Sequence, residues 1–199
     1  MSSLTTSITA LGPTTVGGLP AHILLVHLTI VVIPAAAAAT VVAAASTRLR
    51  RWLGVVTPLL ALVALVMVPI TVSAGLWLYD RVAHTPGIDQ HMHRANHMLP
   101  WAVALFVVAA GEWAWFRVVD RDPDGSRFPL LPAAAPDEVS DARVTAAARP
   151  HTGGPATWQT VVATVLALVV AVGASAELYR VGESGSRAVW QGNFSPNPR

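Results

Sequence analysis

The sequence contains no cysteine and no lysine. Without cysteine the chain can form no disulfide bond, no thiolate metal site, no covalent c-type haem attachment and no cysteine nucleophile. Any metal or cofactor must therefore be bound by histidine, carboxylate or methionine side chains. The basic residues are all arginines, 13 against 11 acidic residues, and they do not cluster among aromatic residues as in a nucleic-acid-binding surface. The composition argues against a nucleic-acid partner.

Charge is also scarce. Only 12% of the residues are charged and 53% are hydrophobic, whereas soluble domains carry about 25% charged residues. The first 20 residues hold no charge, so they lack the basic segment that opens a cleavable signal peptide. We therefore expect the first apolar segment to direct membrane insertion itself.

Four apolar segments are each long enough to cross a bilayer core, which takes about 20 helical residues. They run approximately over Ala21–Ser46, Leu53–Tyr79, Met98–Phe116 and Thr157–Ala176. Apolar residues occupy all sides of each segment, which is typical of helices embedded in lipid. The sequence thus predicts an all-α integral membrane protein, folded as a four-helix transmembrane bundle.

The arginines predict the orientation of this bundle. Three follow the first span and five lie between the third and fourth spans: Arg48, Arg50, Arg51, Arg117, Arg121, Arg127, Arg143 and Arg149. Because arginine collects in cytoplasmic loops, both termini are predicted outside a cell membrane such as the bacterial inner membrane. The predicted segments are a flexible outer N-terminus (1–20), helices one to three (21–119), a cytoplasmic linker with a short helix near 136–148 (120–156), and helix four with an outer tail (157–199).

Six of the seven histidines fall near the predicted outer ends of the spans. They are His22 and His27 in the first span, and His84, His91, His93 and His97 before or at the start of the third. Ionisable groups at membrane depth normally face the bundle interior and have a partner. His27 lies about 9 Å along the first helix from Ala21, so we expect it to have a polar partner from another span.

Three interpretations of the histidines compete. In the first, His27 and His97 are the axial ligands of a b-type haem between spans one and three, because neutral imidazole binds haem iron and bundle interiors house cofactors. His22 and His93 are further cofactor-binding candidates. However, His22 and His27 are rotated by about 140° on a regular helix, so the two cannot share one metal.

The second interpretation is a Zn²⁺ or Cu²⁺ site on the outer surface. Its candidate ligands are His84, His91, His93 and His97, with Asp80 or Asp89. Residues four apart, such as 93 and 97, share a helix face. In the third interpretation the histidines are only structural polar groups, and this one is the most frequent for a histidine near a helix end.

Three acidic residues in or beside the spans have both functional and structural interpretations. Glu177 and Asp80, at the outer ends of spans four and two, could accept a hydrogen bond from a ligand histidine or be helix-end charges. Glu112 could handle protons, but an interfacial acid near Arg117 is the favoured interpretation. No nucleophile motif or phosphate-binding loop is present, so an electron carrier or accessory subunit is predicted rather than a stand-alone enzyme.

The segment Leu19–Ile30, LPAHILLVHLTI, resembles the opening of the four-helix membrane family called domain of unknown function 2231. That family opens with leucine–proline, histidine–proline and valine–histidine–phenylalanine–proline motifs. His97 matches a histidine near the start of its third helix. Gly75–Asp80 and Glu177–Gly182 are similar to the ends of its second and fourth helices.

This sequence departs from the family pattern at Ala21, where proline is usual, and at Thr29 and Ile30. Members are found fused to Rieske iron–sulfur or cytochrome c domains, so the resemblance implies membrane electron transfer by association. Together these points favour a haem b protein, with His27 and His97 as ligands near the outer face. It would pass electrons between the quinone pool or an outer carrier and a redox membrane protein. The alternatives are an accessory or scaffold subunit of a larger complex, or an outer-face histidine-rich protein binding Zn or Cu. A homo-oligomer is compatible with each.

Overall fold

A computed structural model describes residues 12–119 and 156–192 of the chain. Six helices are present in these residues: α1 (Ala21–Ala45), α2 (Thr47–Leu53), α3 (Val56–Tyr79), α4 (Pro86–Ala95), α5 (Met98–Val119) and α6 (Thr157–Trp190). Four helical segments of the described chain are long and apolar enough to cross a membrane, namely α1, α3, α4 with α5, and α6. The predicted all-α transmembrane four-helix bundle is confirmed.

The four long helices are arranged in a ring in which α1 packs on α3, α3 on α5, α5 on α6, and α6 on α1. Helices α1 and α3 are joined by a short connection and therefore run in opposite directions. At one end, α2 joins α1 to α3, and Gly54 ends α2 with a φ of 49° that favours glycine. At the other end, α4 lies between α3 and α5 in the chain and packs mainly on α6. We refer to these as the α2 end and the α4 end.

Small side chains fill the interior of the bundle and large ones cover its outside. Buried alanines occur in every long helix: Ala36, Ala37, Ala44, Ala61, Ala64, Ala102, Ala109, Ala167 and Ala174. Large aliphatic side chains such as Val31, Val107 and Val172 are exposed. Because lipid is as apolar as these side chains, membrane helices associate through close packing of small residues. This distribution is the one expected of a bundle surrounded by lipid.

At Gly173, the Trp101 side chain of α5 packs directly on the backbone of α6. A Cβ atom at Gly173 would overlap ring carbons of Trp101, whereas one at Gly182 on the same helix meets nothing. We expect Gly173→Ala to destabilise the bundle by about 1–3 kcal/mol through overpacking. Gly182→Ala should be neutral or stabilising by up to about 1 kcal/mol, since alanine favours helix. Thermal unfolding in detergent measures both, and equal stability of the two variants would contradict the packing described here.

Residues 12–20, part of the segment predicted as a flexible outer N-terminus, include a small antiparallel hairpin. Its strands are β1 (Thr15–Val16) and β2 (Leu19–Pro20), paired Thr15 to Pro20 and Val16 to Leu19. Gly17 and Gly18 form the turn with φ values of 57° and 80°, and a two-residue turn with both φ values positive matches the twist of the strands. The hairpin leads directly into α1.

The helix ends differ from the predicted spans mainly at the α4 end. The connection before span three contains α4, which begins with Pro86 in its first turn and with the Thr85 hydroxyl accepting a hydrogen bond from the Ile88 N–H. Helix α6 continues to Trp190, well beyond the predicted end of span four at Ala176. The predicted cytoplasmic linker and its short helix near 136–148 lie outside the described residues.

Candidate functional site

Two histidines from different helices meet at the α4 end of the bundle. His22 lies in the first turn of α1 and His91 lies in α4. Their ring centres are 6.3 Å apart and the ring planes are inclined by 74°. Both side chains are partly buried. The cluster is therefore formed by two residues that are 69 positions apart in the sequence.

His22 is oriented by α3. Its Nδ1–H donates a hydrogen bond of 3.0 Å to the backbone carbonyl of Thr71. Its ring lies against Gly75, where a Cβ atom would come within 2.9 Å of ring atoms Cε1 and Nδ1. Any larger residue at position 75 would therefore push the ring out of this position.

His91 is oriented by the part of α6 that the sequence did not predict to be helical. Its Nδ1–H lies 3.2 Å from the carbonyl oxygen of Val181 and 3.1 Å from the hydroxyl oxygen of Ser184. The Ser184 hydroxyl in turn donates to the Val181 carbonyl at 2.8 Å. The ring packs on Gly185, at 3.1 Å from the position of a Cβ atom.

The hydrogen bonds define which nitrogen of each ring is available. A carbonyl oxygen only accepts, so the Nδ1 atoms of both His22 and His91 carry the proton. In a neutral imidazole the other nitrogen, Nε2, then has a free lone pair. Among the described residues, neither Nε2 atom has a hydrogen-bond partner. An imidazole fixed through Nδ1–H to a backbone carbonyl is the usual form of a metal-binding histidine.

Helix α4 is itself attached to both of its neighbours. The Tyr79 hydroxyl, at the end of α3, donates a 2.7 Å hydrogen bond to the Asp89 carboxylate in α4. Gly87 lies so near α6 that a Cβ atom there would be 3.2 Å from Cα of Ala188. These contacts hold His91 over the end of the bundle, opposite His22.

The predicted haem ligands His27 and His97 make different contacts. His27 is exposed on α1, and its Nδ1–H donates to the carbonyl of Ile23 one turn earlier, at 2.6 Å. His97 is exposed at the break between α4 and α5, where its backbone N–H donates to the Arg94 carbonyl. No contact joins the two side chains in the described residues. The prediction that they share a haem rests on the sequence alone.

The residues predicted to bind Zn²⁺ or Cu²⁺ are not brought together either. His84 is exposed and stacks on the Tyr79 ring at 4.2 Å, with Nε2–H donating to the Tyr79 carbonyl. His93 is exposed, whereas His91 faces α6. Within residues 12–119 and 156–192, no three histidine or carboxylate side chains are close enough to hold one metal ion.

The acidic candidates lie apart from the histidines. Glu177 is buried and accepts a 3.4 Å hydrogen bond from Arg180 three residues later, while Asp80 is the exposed residue that directly follows α3. In the described chain, neither carboxylate is bonded to a histidine. Glu112 does not pair with Arg117, whose guanidinium lies over the Trp113 ring. Both Glu112 carboxylate oxygens are buried, with no hydrogen-bond partner among the described residues.

The sequence did not identify the groups that orient the two rings. The carbonyls of Thr71 and Val181 carry no side-chain signal, so no motif could have revealed them. Ser184 and Gly185 lie beyond the predicted end of span four, in a stretch whose charges suggested an outer tail. The small residues in that stretch were the available signal, because serine and glycine allow close packing of a second helix.

Comparison of the chain with protein-family models, curated proteins and solved structures gave no match. The resemblance to domain of unknown function 2231 therefore remains a prediction from short motifs.

Proposed function

We propose that the protein is a small membrane electron-transfer protein that binds a b-type haem at the α4 end of the bundle, where His22 and His91 would hold the iron. The observation that carries the proposal is the pair of rings fixed through Nδ1–H, with both Nε2 atoms unengaged within the described part of the chain. The two ring centres lie 6.3 Å apart, and these two imidazoles would hold the iron.

The number of donors favours haem over a bare metal ion. Structural zinc sites use four protein ligands and catalytic ones three, and in the described residues no third histidine or carboxylate joins this pair. Haem iron already has four nitrogen ligands from its macrocycle, so it needs only two side chains. When bound, the haem would supply one-electron redox chemistry. His22 and His91 would ligate it, and the surrounding carbonyls would fix their orientation.

The proposed setting is the plasma membrane, with the α4 end and both termini outside. Arg48, Arg50 and Arg51 lie at or next to α2, at the opposite end, and arginine is enriched on the cytoplasmic side. The electron partners would be the quinone pool and a redox protein at the outer surface.

An absorption spectrum of the purified protein, expressed with haem supplementation, tests the proposal. A Soret band with sharp α and β bands on reduction is expected. A colourless protein would reject haem binding and favour the accessory-subunit alternative. Stoichiometric Zn or Cu in a colourless protein would instead indicate a metal-ion site.

The orientation of the bundle in the membrane has a test of its own. Because the chain contains no cysteine, a single reporter cysteine can be introduced at a chosen position. Ala83, between α3 and α4, and Leu49, in α2, are both exposed. A membrane-impermeant maleimide added to intact cells is expected to label Ala83→Cys and to label Leu49→Cys only after the membrane is opened. The reverse pattern would invert the orientation without affecting the haem proposal.

A further inference from the structure

A second polar cluster lies at the α2 end of the bundle, opposite the histidines. Three buried side-chain oxygens there have no hydrogen-bond partner in the described residues: Oγ1 of Thr57 and both carboxylate oxygens of Glu112. Leaving a buried hydroxyl unpaired costs about 1–3 kcal/mol, and an unpaired carboxylate costs more. Buried oxygens of this kind therefore indicate a hydrogen-bond partner that is not one of the described protein atoms.

Thr57 and Glu112 line the same small cavity, of about 10 Å³. A single water needs roughly 10–15 Å³ of such space together with two to four polar partners. Thr57 comes from α3 and Glu112 from α5, so the cavity separates polar groups of two helices. Its size and its lining both suit one water molecule.

The charges around the cavity are few. Arg50 of α2 forms one wall, with its guanidinium 3.6 Å above the Phe116 ring. Helix α1 contributes Ala43. On its other side, Glu112 also lines a larger cleft of about 410 Å³, where α6 contributes Trp158 and Gln159. The carboxyl group thus forms part of the wall of both the small cavity and the larger cleft.

We propose that Thr57 and Glu112 bind one water molecule in this cavity, and that the Glu112 carboxyl group exchanges its proton through that water. The Thr57 hydroxyl and the protonated Glu112 oxygen both donate to the water, and the water donates one hydrogen to the second Glu112 oxygen. In exchange, the water oxygen takes the carboxyl proton as the water gives one of its own hydrogens to the second carboxyl oxygen, so the carboxyl group and the water both stay neutral. Arg50 provides the positive charge beside the carboxyl group. This site is independent of haem binding.

Infrared spectroscopy of the full chain in lipid nanodiscs tests both parts. The Glu112 band is identified as the one lost in Glu112→Gln. Thr57→Val is expected to shift this band and to slow its change on transfer to D₂O at least severalfold. Thr40→Val is the matched control, because the Thr40 hydroxyl is buried but bonds the Ala36 carbonyl in its own helix. It should leave the Glu112 band unchanged.

Three results would overturn the proposal. An unshifted Glu112 band in Thr57→Val would exclude the shared water, and a band insensitive to D₂O would exclude proton exchange. A crystal structure of the unmodified protein, at a resolution that reveals ordered water, should contain a water within hydrogen-bond distance of Thr57 Oγ1 and Glu112. An empty cavity there would exclude the site even if the variants fail to fold.

Discussion

Replacing His91 with alanine is expected to lower the haem content of the purified protein at least tenfold. Loss of a group that merely orients a metal ligand costs roughly 10–100-fold in affinity, and loss of the ligand itself should cost no less. His22→Gln should have the same effect, because a glutamine amide can still donate to the Thr71 carbonyl but is a poor ligand for haem iron. The ratio of Soret to protein absorbance measures the haem content.

Three further variants test whether the loss of haem is specific to His22 and His91. His27→Ala and His97→Ala should keep the wild-type haem content, since both side chains are exposed and lie outside the cluster. Ser184→Ala should weaken haem binding by roughly tenfold, because the hydroxyl supports His91 without being a ligand. Loss of haem in His27→Ala and His97→Ala, with retention in His91→Ala, would reject the proposed pair and restore the pair expected from the sequence.

The transmembrane helices could be predicted because lipid imposes one simple condition on them. Each must be apolar on every side over about 20 residues, and this can be read without knowing its neighbours. The α4 end could not be predicted in the same way. Helix α6 continues beyond Ala176 through Glu177, Arg180 and Glu183, and these charges resemble the start of a solvent-exposed tail. The helix continues there because α4 packs on it, which is tertiary information.

The pairing of histidines illustrates the same limit. Helical geometry correctly indicates that His22 and His27 face different directions. It does not indicate which of them faces the bundle. That choice depends on Gly75 of α3, which leaves room for the His22 ring, whereas His27 points outward and bonds its own helix. Periodicity within one helix therefore shows which histidines cannot face the same way. Contacts with the neighbouring helix determine which histidine faces the bundle interior.

Arg50→Ala is expected to destabilise the bundle by about 2–4 kcal/mol. Nη1 of Arg50 donates to the carbonyls of Ala43 and Ala44 in the last turn of α1, at 3.2 and 3.4 Å. The last carbonyls of a helix have no partner within it, and a cation there also complements the helix dipole. The guanidinium in addition packs on the buried Phe116 ring, a cation–π contact worth up to about 2 kcal/mol when desolvated.

Arg51→Ala is the matched control, because Arg51 is exposed and follows directly in α2. It removes the same charge but should change stability by less than about 0.5 kcal/mol. Arg50→Lys should recover only part of the loss, since an ammonium group cannot bond two carbonyls and lie flat on a ring. Thermal unfolding in detergent measures all three. Equal stability of Arg50→Ala and Arg51→Ala would mean that the contacts of the Arg50 side chain do not stabilise the α2 end of the bundle. Arg50 would then act only through its charge, as in the orientation of the chain.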